Sequence, residues 1–144
     1  MKRKTRTKVK FVCLGNACRS PMAEAIARRI GHGVMEASSA GLTTLGHVEE
    51  MTKQTLLKNG YAADGLTSKP VQRLELETTD LVVNMSGRSW DLVFDGVAEV
   101  EHWNVEDPYG ADAEIYQRIF EDIEKRVAKL TDRLRTGRSV RRMS

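Results

Sequence analysis

Cysteine, histidine and long apolar runs are what this 144-residue chain has least of, and each shortage excludes something. Its two cysteines, Cys13 and Cys18, are too few for a disulfide framework at this length and fit a reducing compartment. His32, His47 and His102 are scattered and form no ligand-spaced set with the cysteines, so no metal is expected. No stretch approaches the ~18 to 20 apolar residues that cross a membrane. The basic opening MKRKTRTK lacks the apolar core of a secretory leader, because VKFVCL turns straight into a loop. A cytoplasmic protein with no membrane partner is the expectation. Repeats, low-complexity tracts and linkers are also missing, which implies one domain over residues 1–144. A nucleotide-binding P-loop is excluded too, since GNACRS lacks the second glycine and the lysine of that motif.

What is present reads as a globular chain, 40% hydrophobic and 30% charged. The net charge of +3 hides an asymmetry. Six of the 23 basic residues lie in residues 1–10 and five in residues 133–144, with no acid in either segment. The stretch between them holds 12 basic against 20 acidic residues. The body is acidic and the ends, 1–7 and 136–144, read as basic, disordered tails. Neither end interleaves aromatics with its charges, so no nucleic-acid partner is inferred.

Strands and helices alternate along the chain. Val9–Leu14, Val34–Ala40, Asp80–Met85 and Ala98–Val105 read as strands. Ser20–Pro21 opens a helix, with Ser20 suited to the cap, and Ala23, Ile26, Ala27 and Ile30 fall on one face before Gly31. Val48–Lys58, Val71–Glu77 and Trp90–Phe94 are shorter helical segments. Ala113 to about Leu134 is a long amphipathic helix with Ile115, Ile119, Ile123, Val127, Leu130 and Leu134 on one side. The pattern predicts an α/β domain with a central four-stranded parallel sheet and helices on both faces, a Rossmann-like arrangement. Such sheets bind ligands at the carboxyl ends of their strands.

The stretch CLGNACRS, residues 13–20, leaves the first strand at that kind of place and runs into a helix N-terminus. Backbone N–H groups of such a loop bind anions, and the helix dipole adds to them. The same field favours a thiolate at Cys13, making it a candidate nucleophile rather than a packing residue. Arg19 can return over the sulfur and hold two oxygens of a tetrahedral oxyanion with its planar fork. Gly15 and Asn16 are residue types that tolerate the left-handed backbone of a tight curl. Ser20 can cap the helix or donate to the sulfur.

The longer stretch VCLGNACRSPMAEA resembles the low-molecular-weight protein tyrosine phosphatase family, to which thioredoxin-coupled arsenate reductases are related. SSAGL (38–42), Met85 at the end of DLVVNM, and EDPYG (106–110) extend the resemblance over most of residues 8–135. The resemblance implies the family's phosphatase fold and a cysteine-dependent phosphatase acting on phosphotyrosine or another aryl phosphate. Leu14, Gly15, Asn16, Ala17, Cys18 and Ser20 would form the phosphate-binding loop around Cys13 and Arg19. An isolated Asp-Pro before a helix is an ordinary turn, yet phosphate-ester cleavage needs an acid for its leaving oxygen; the resemblance gives that role to Asp107. It implies a phosphotyrosine-containing protein or small aryl phosphate as partner, inorganic phosphate as product, and no cofactor. It also implies that Cys13 and Cys18 can pair on oxidation.

The substrate cleft departs from the family. Tyr109 can stack on a phenyl ring, but the opposite wall, LTTLGHVEE, has no aromatic and leaves Leu42 or Leu45 to serve. Met85 is followed by Ser86-Gly87-Arg88 where the family often has an aspartate. Ser39 is placed to hold the curl of the loop through Asn16. Two alternatives stay open: arsenate reduction on the same fold, and a non-catalytic oxyanion or phosphopeptide binder. Against the first, residues 19–144 hold no further cysteine to relay a disulfide.

Overall fold

A computed structural model of the chain describes residues 6–88, 94 and 99–137. Its elements are β1 (Thr7–Cys13), α1 (Arg19–Ile30), β2 (Met35–Gly41), α2 (Glu50–Lys58), α3 (Arg73–Leu76), β3 (Leu81–Asn84), β4 (Val100–His102) and α4 (Ala113–Arg135). The four strands form one parallel sheet in the order β2-β1-β3-β4. From β1 the chain crosses to β2 on one side and later returns to β3 on the other. The order therefore reverses at β1, and Cys13 is its last residue.

Alternation along β1 sorts the two faces of the sheet. Val9, Phe11 and Cys13 point into the larger core with Met22, Ala23 and Ile26 of α1, Leu56 of α2, and Ile119, Phe120 and Ile123 of α4. Val12 points the other way, to a smaller cluster with Leu76 of α3, Val82 and Phe94. On that second face Lys10 is nearly buried, its ammonium bonded to Ser38 Oγ at 3.0 Å and Glu75 Oε1 at 2.9 Å. A buried ammonium is tolerable only when paired in this way, so the contact ties α3 to the sheet.

Helix α1 is buried from Arg19 through Ala27, nine of its 12 residues, beyond the single stripe expected from its apolar spacing. Helix α4 starts at a true cap, with Asp112 Oδ1 accepting from Ile115 N at 3.0 Å.

Several expectations shift. Ser20 is not a cap: α1 begins one residue earlier, Cys18 stands at the cap position without a side-chain bond, and the Ser20 hydroxyl turns toward Cys13. The last strand stops at His102 rather than Val105. Trp103 and Val105 leave it to enter the larger core, where Trp103 meets Phe11 with ring centroids 5.9 Å apart. The expected helix at Trp90–Phe94 lies outside the described residues except for Phe94, which is buried.

The end of β2 comes against the loop after β1 with no room to spare. A Cβ at Gly41 would lie 2.3 Å from Thr43 O, 2.8 Å from Asn16 N and 2.9 Å from Gly15 C, all backbone atoms. At Gly15 the nearest atom would be a flexible one, Leu45 Cγ at 3.2 Å. Gly41→Ala is expected to destabilise the protein in urea by about 2 kcal/mol or more, and Gly15→Ala by clearly less. Equal midpoints for the two variants would show that the loop and β2 are not in fixed contact.

Candidate functional site

The carbonyl groups of the loop after β1 are taken up from outside. Cys13 O accepts from Leu42 N (3.0 Å), Leu14 O from Thr43 N (2.8 Å), and Gly15 O from Leu45 N (3.2 Å) and Ser68 Oγ (3.1 Å). Ala17 O accepts from Glu49 N at 3.0 Å and Thr52 Oγ1 at 3.1 Å. The N–H groups of residues 14–18 have no protein acceptor among the described residues. Buried backbone donors are almost always paired, and residues 16–18 are buried while Leu14 and Gly15 are half-buried; consecutive unpaired N–H groups of this kind can bind an anion.

Asn16 fixes this curl. It is fully buried and has φ 51°, making it the one non-glycine residue of positive φ among those described. Its Oδ1 accepts from Lys69 N at 2.8 Å, while Nδ2 donates to Ser20 Oγ at 2.8 Å and Ser39 Oγ at 3.1 Å. Ser39 in turn donates to Glu24 Oε1 at 2.5 Å, and Arg28 pairs with the other oxygen of that buried carboxylate. With its oxygen accepting from Asn16, the Ser20 hydroxyl has one proton to give, and two acceptors lie in reach, Cys13 Sγ at 3.0 Å and Ala40 O at 3.4 Å. Ser20 N–H approaches the same sulfur at 3.4 Å. Gly15, by contrast, does not adopt the left-handed backbone expected of it; Asn16 alone makes that turn.

Arg19 is buried and closes the site from the β3 and β4 side. Nη1 donates to Met85 O at 2.6 Å and Val105 O at 3.1 Å. Nη2 lies 3.5 Å from Asp107 Oδ2, and Nε is buried without a partner. One side of the guanidinium is thus anchored to the sheet, and the Nε/Nη2 edge is the one left to hold two oxygens. Asp107 Oδ1 accepts from Tyr109 N at 3.1 Å, an Asx turn that holds the carboxylate at the rim.

These residues line one cavity of about 200 Å³: Cys13, Leu14, Gly15, Ala17, Cys18 and Arg19 at the base, with Thr43, Leu45, Asp107 and Tyr109 above. Leu45 and Tyr109 are 46% and 57% exposed and flank the opening. Leu42 packs with the small cluster on the other sheet face, so Leu45 forms the wall. Arg88 is exposed in a turn where Asn84 and Ser86 bond its backbone. Cys18 lies beneath the loop, its sulfur 3.2 Å from Tyr116 Oη, and burial pushes its thiol up to about 11. It is therefore a neutral thiol at pH 7. Among the described residues no three His, Cys, Asp or Glu side chains come together as a metal site, and no helix is long and apolar enough to cross a membrane.

Sequence reasoning missed Glu24, Thr43, Lys69 and Tyr116. Glu24 did leave a signal: an acid amid small and apolar residues, four after Ser20 and four before Arg28. The Lys69 amide and Tyr116 act across 53 and 98 residues of sequence, and nothing local announces them.

Residues 8–140 match the family pattern described as low molecular weight phosphotyrosine protein phosphatase. The glutaredoxin arsenate reductase of Synechocystis sp. is 31% identical over 125 residues, covering 85% of this chain and 95% of that protein. A protein-arginine-phosphatase of Bacillus subtilis is 33% identical over 147 residues, covering 89% and 97%. A solved structure of an arsenate reductase in the phosphate-binding state superposes with a TM-score of 0.82 at 28% identity, covering 89% of this chain and 98% of that one.

The buried Cys18 thiol gives stability a pH dependence of definite sign. Its folded value of about 11 lies above the ordinary 9.0, so the fold holds a proton that the unfolded chain releases. The contribution is complete below pH 9 and lost as the pH rises toward 11. Between pH 8 and 10.5 the wild type is expected to lose about 2 kcal/mol more than Cys18→Ser in urea denaturation. Parallel losses in the two proteins would contradict the assignment.

Proposed function

The chain belongs to the low molecular weight phosphotyrosine protein phosphatase family, and from that premise we propose that it hydrolyses aryl phosphate monoesters, phosphotyrosine in proteins among them, through a phosphoryl group carried on Cys13. The observation that most supports this reading is the combination at the base of the cavity. Five loop N–H groups and the Nε of Arg19 lack protein acceptors there, beside a sulfur that faces a hydroxyl donor. That is an oxyanion cradle built around a nucleophile.

In the first step the Cys13 thiolate attacks phosphorus. The S–P bond forms as the P–O bond to the leaving group breaks. Loop amides and the Nε/Nη2 edge of Arg19 hold the three equatorial oxygens. The leaving oxygen takes its proton from Asp107, which stands at the rim where a leaving group would point. In the second step Asp107 removes a proton from water, the water oxygen bonds to phosphorus, and the S–P bond breaks. The Ser20 hydroxyl steadies the sulfur as it departs. Inorganic phosphate is released, and Cys13 is a thiolate again.

The cleft walls favour an aromatic leaving group. Leu45 and Tyr109 offer two apolar faces across the opening, and a ring stacked on Tyr109 gains roughly 0.5 to 1.5 kcal/mol. Two free cysteines, both within the loop, suit a cytoplasmic setting.

Arsenate reduction is the second reading, supported by arsenate reductases among the relatives. Arsenate has the shape and charge of phosphate and fits the same cradle. Residues 19–144 hold no cysteine to complete an internal relay. Reduction would proceed through Cys18 or through a thiol supplied from outside.

Hydrolysis of 4-nitrophenyl phosphate in chelator-treated buffer is expected of the wild type and to be absent in Cys13→Ser. Asp107→Asn should lower kcat by about 10² to 10³-fold for phenyl phosphate, whose leaving group needs the proton, and by less for 4-nitrophenyl phosphate. An inactive wild type that reduces arsenate with glutathione and glutaredoxin would support the second reading instead.

A further inference from the structure

A second concavity, of about 440 Å³, lies between β4 and α4, lined by Glu101, Trp103, Asp122, Lys125, Arg126, Lys129, Leu130 and Arg133. Four of these residues are basic and two acidic, on a protein whose residues 11–132 are strongly acidic overall. The two acids are already neutralised: Asp122 bonds Arg126 Nε at 2.9 Å, and Glu101 bonds Arg133 Nη2 at 2.5 Å. That leaves Lys125 and Lys129, one turn apart on an exposed face of α4 and without a partner among the described residues.

The groove is a separate concavity, linked to the candidate active site by a short stretch of chain. The stretch from Glu101 to Asp107 runs from its floor to the cavity rim and is pinned to α4 along the way. Arg133 holds Glu101, Arg126 Nη2 donates to Asn104 O at 3.1 Å, and Arg118 pairs with Glu106 at 3.1 Å. Trp103 in the groove and Asp107 at the rim are four residues apart, so at most ~14 Å of extended chain separates them.

We propose that this groove docks an acidic segment of the phosphoprotein substrate, with acidic side chains about four to seven residues from the phosphorylated one meeting Lys125 and Lys129. This rests on the phosphatase reading above and extends it to substrate selection. A protein chain suits the groove better than a nucleic acid does. Trp103 is buried, and its Nε1 is tied to Glu101 at 2.8 Å, so its ring is not offered for base stacking.

The test uses phosphotyrosyl peptides that carry either four glutamates or four glutamines at that separation, on one side or the other of the phosphotyrosine. Each protein's turnover of 4-nitrophenyl phosphate serves as its reference. Wild type is expected to favour the glutamate peptide in kcat/KM by about three- to tenfold at low salt, the preference fading near 0.5 M salt. In the double variant Lys125→Glu/Lys129→Glu the ratio should fall below one. A ratio near one in the wild type, or one that survives charge reversal, would overturn the proposal. So would tighter competition by a single-stranded oligonucleotide than by the glutamate peptide. Should no phosphate ester be turned over, the catalytic reading fails separately, and fluorescence anisotropy of the labelled, unphosphorylated peptides still decides the docking question by the same comparison.

Discussion

Asn16 carries the constraint on which the rest of the site depends. The loop whose successive amides are left without protein acceptors among the described residues turns through left-handed backbone at Asn16, and an L-residue resists that conformation. Here the resistance is met by a side chain whose amide oxygen and both amide protons are engaged: one acceptor bond from the Lys69 amide and two donor bonds to Ser20 and Ser39. Because both amide protons go to hydroxyl oxygens, those hydroxyls must send their own protons onward. Ser39 sends its proton to Glu24 and Ser20 has its own available for Cys13. The backbone strain and the orientation of the donor beside the sulfur are thus one device. Fully satisfied buried networks of this kind specify a single geometry, and partly satisfied ones are costly.

The sheet supplies the other half. Its strand order reverses at β1, so the loop after β1 opens between the ends of its two neighbours, β2 and β3. From the β2 side comes Gly41, whose missing side chain lets the backbones touch. From the β3 and β4 side come the carbonyls of Met85 and Val105, which hold Nη1 of Arg19 and thereby choose which edge of the guanidinium faces the cavity. Helix α4 then positions the Asp107 segment from outside through Arg118 and Arg126. Cys13 and Arg19 come from one contiguous loop and Asp107 from a distant segment after β4, and the parallel sheet brings both to its carboxyl end.

Legibility in the sequence followed the range of the interactions. The loop is contiguous, so its cysteine, glycine, asparagine, arginine and serine were visible together. The strand–helix alternation disclosed the four-stranded parallel sheet, and the family match agrees with the resemblance of VCLGNACRSPMAEA. Element ends were less legible because tertiary contacts set them. Trp103 and Val105 continue a strand-like run of sequence yet leave the sheet for the core. Ser20 looks like a cap from its type and place, but the actual start of α1 is set by the curl that brings its hydroxyl to Cys13. Tyr116 could not be assigned by local pattern, since it works through a partner brought near only by folding; Glu24 carries a local mark in its i,i+4 spacing to Arg28, but its bond from Ser39 exists only once β2 packs on α1.

The central claim is that Cys13 carries the phosphoryl group. Its most direct measurement is acid quenching of the protein within the first turnovers of an aryl phosphate, followed by peptide mass spectrometry of the loop. The account predicts one phosphoryl group on Cys13 and none on Cys18, with the adduct decaying as phosphate is released. Turnover without an adduct on Cys13, or an adduct on any other side chain, would contradict it.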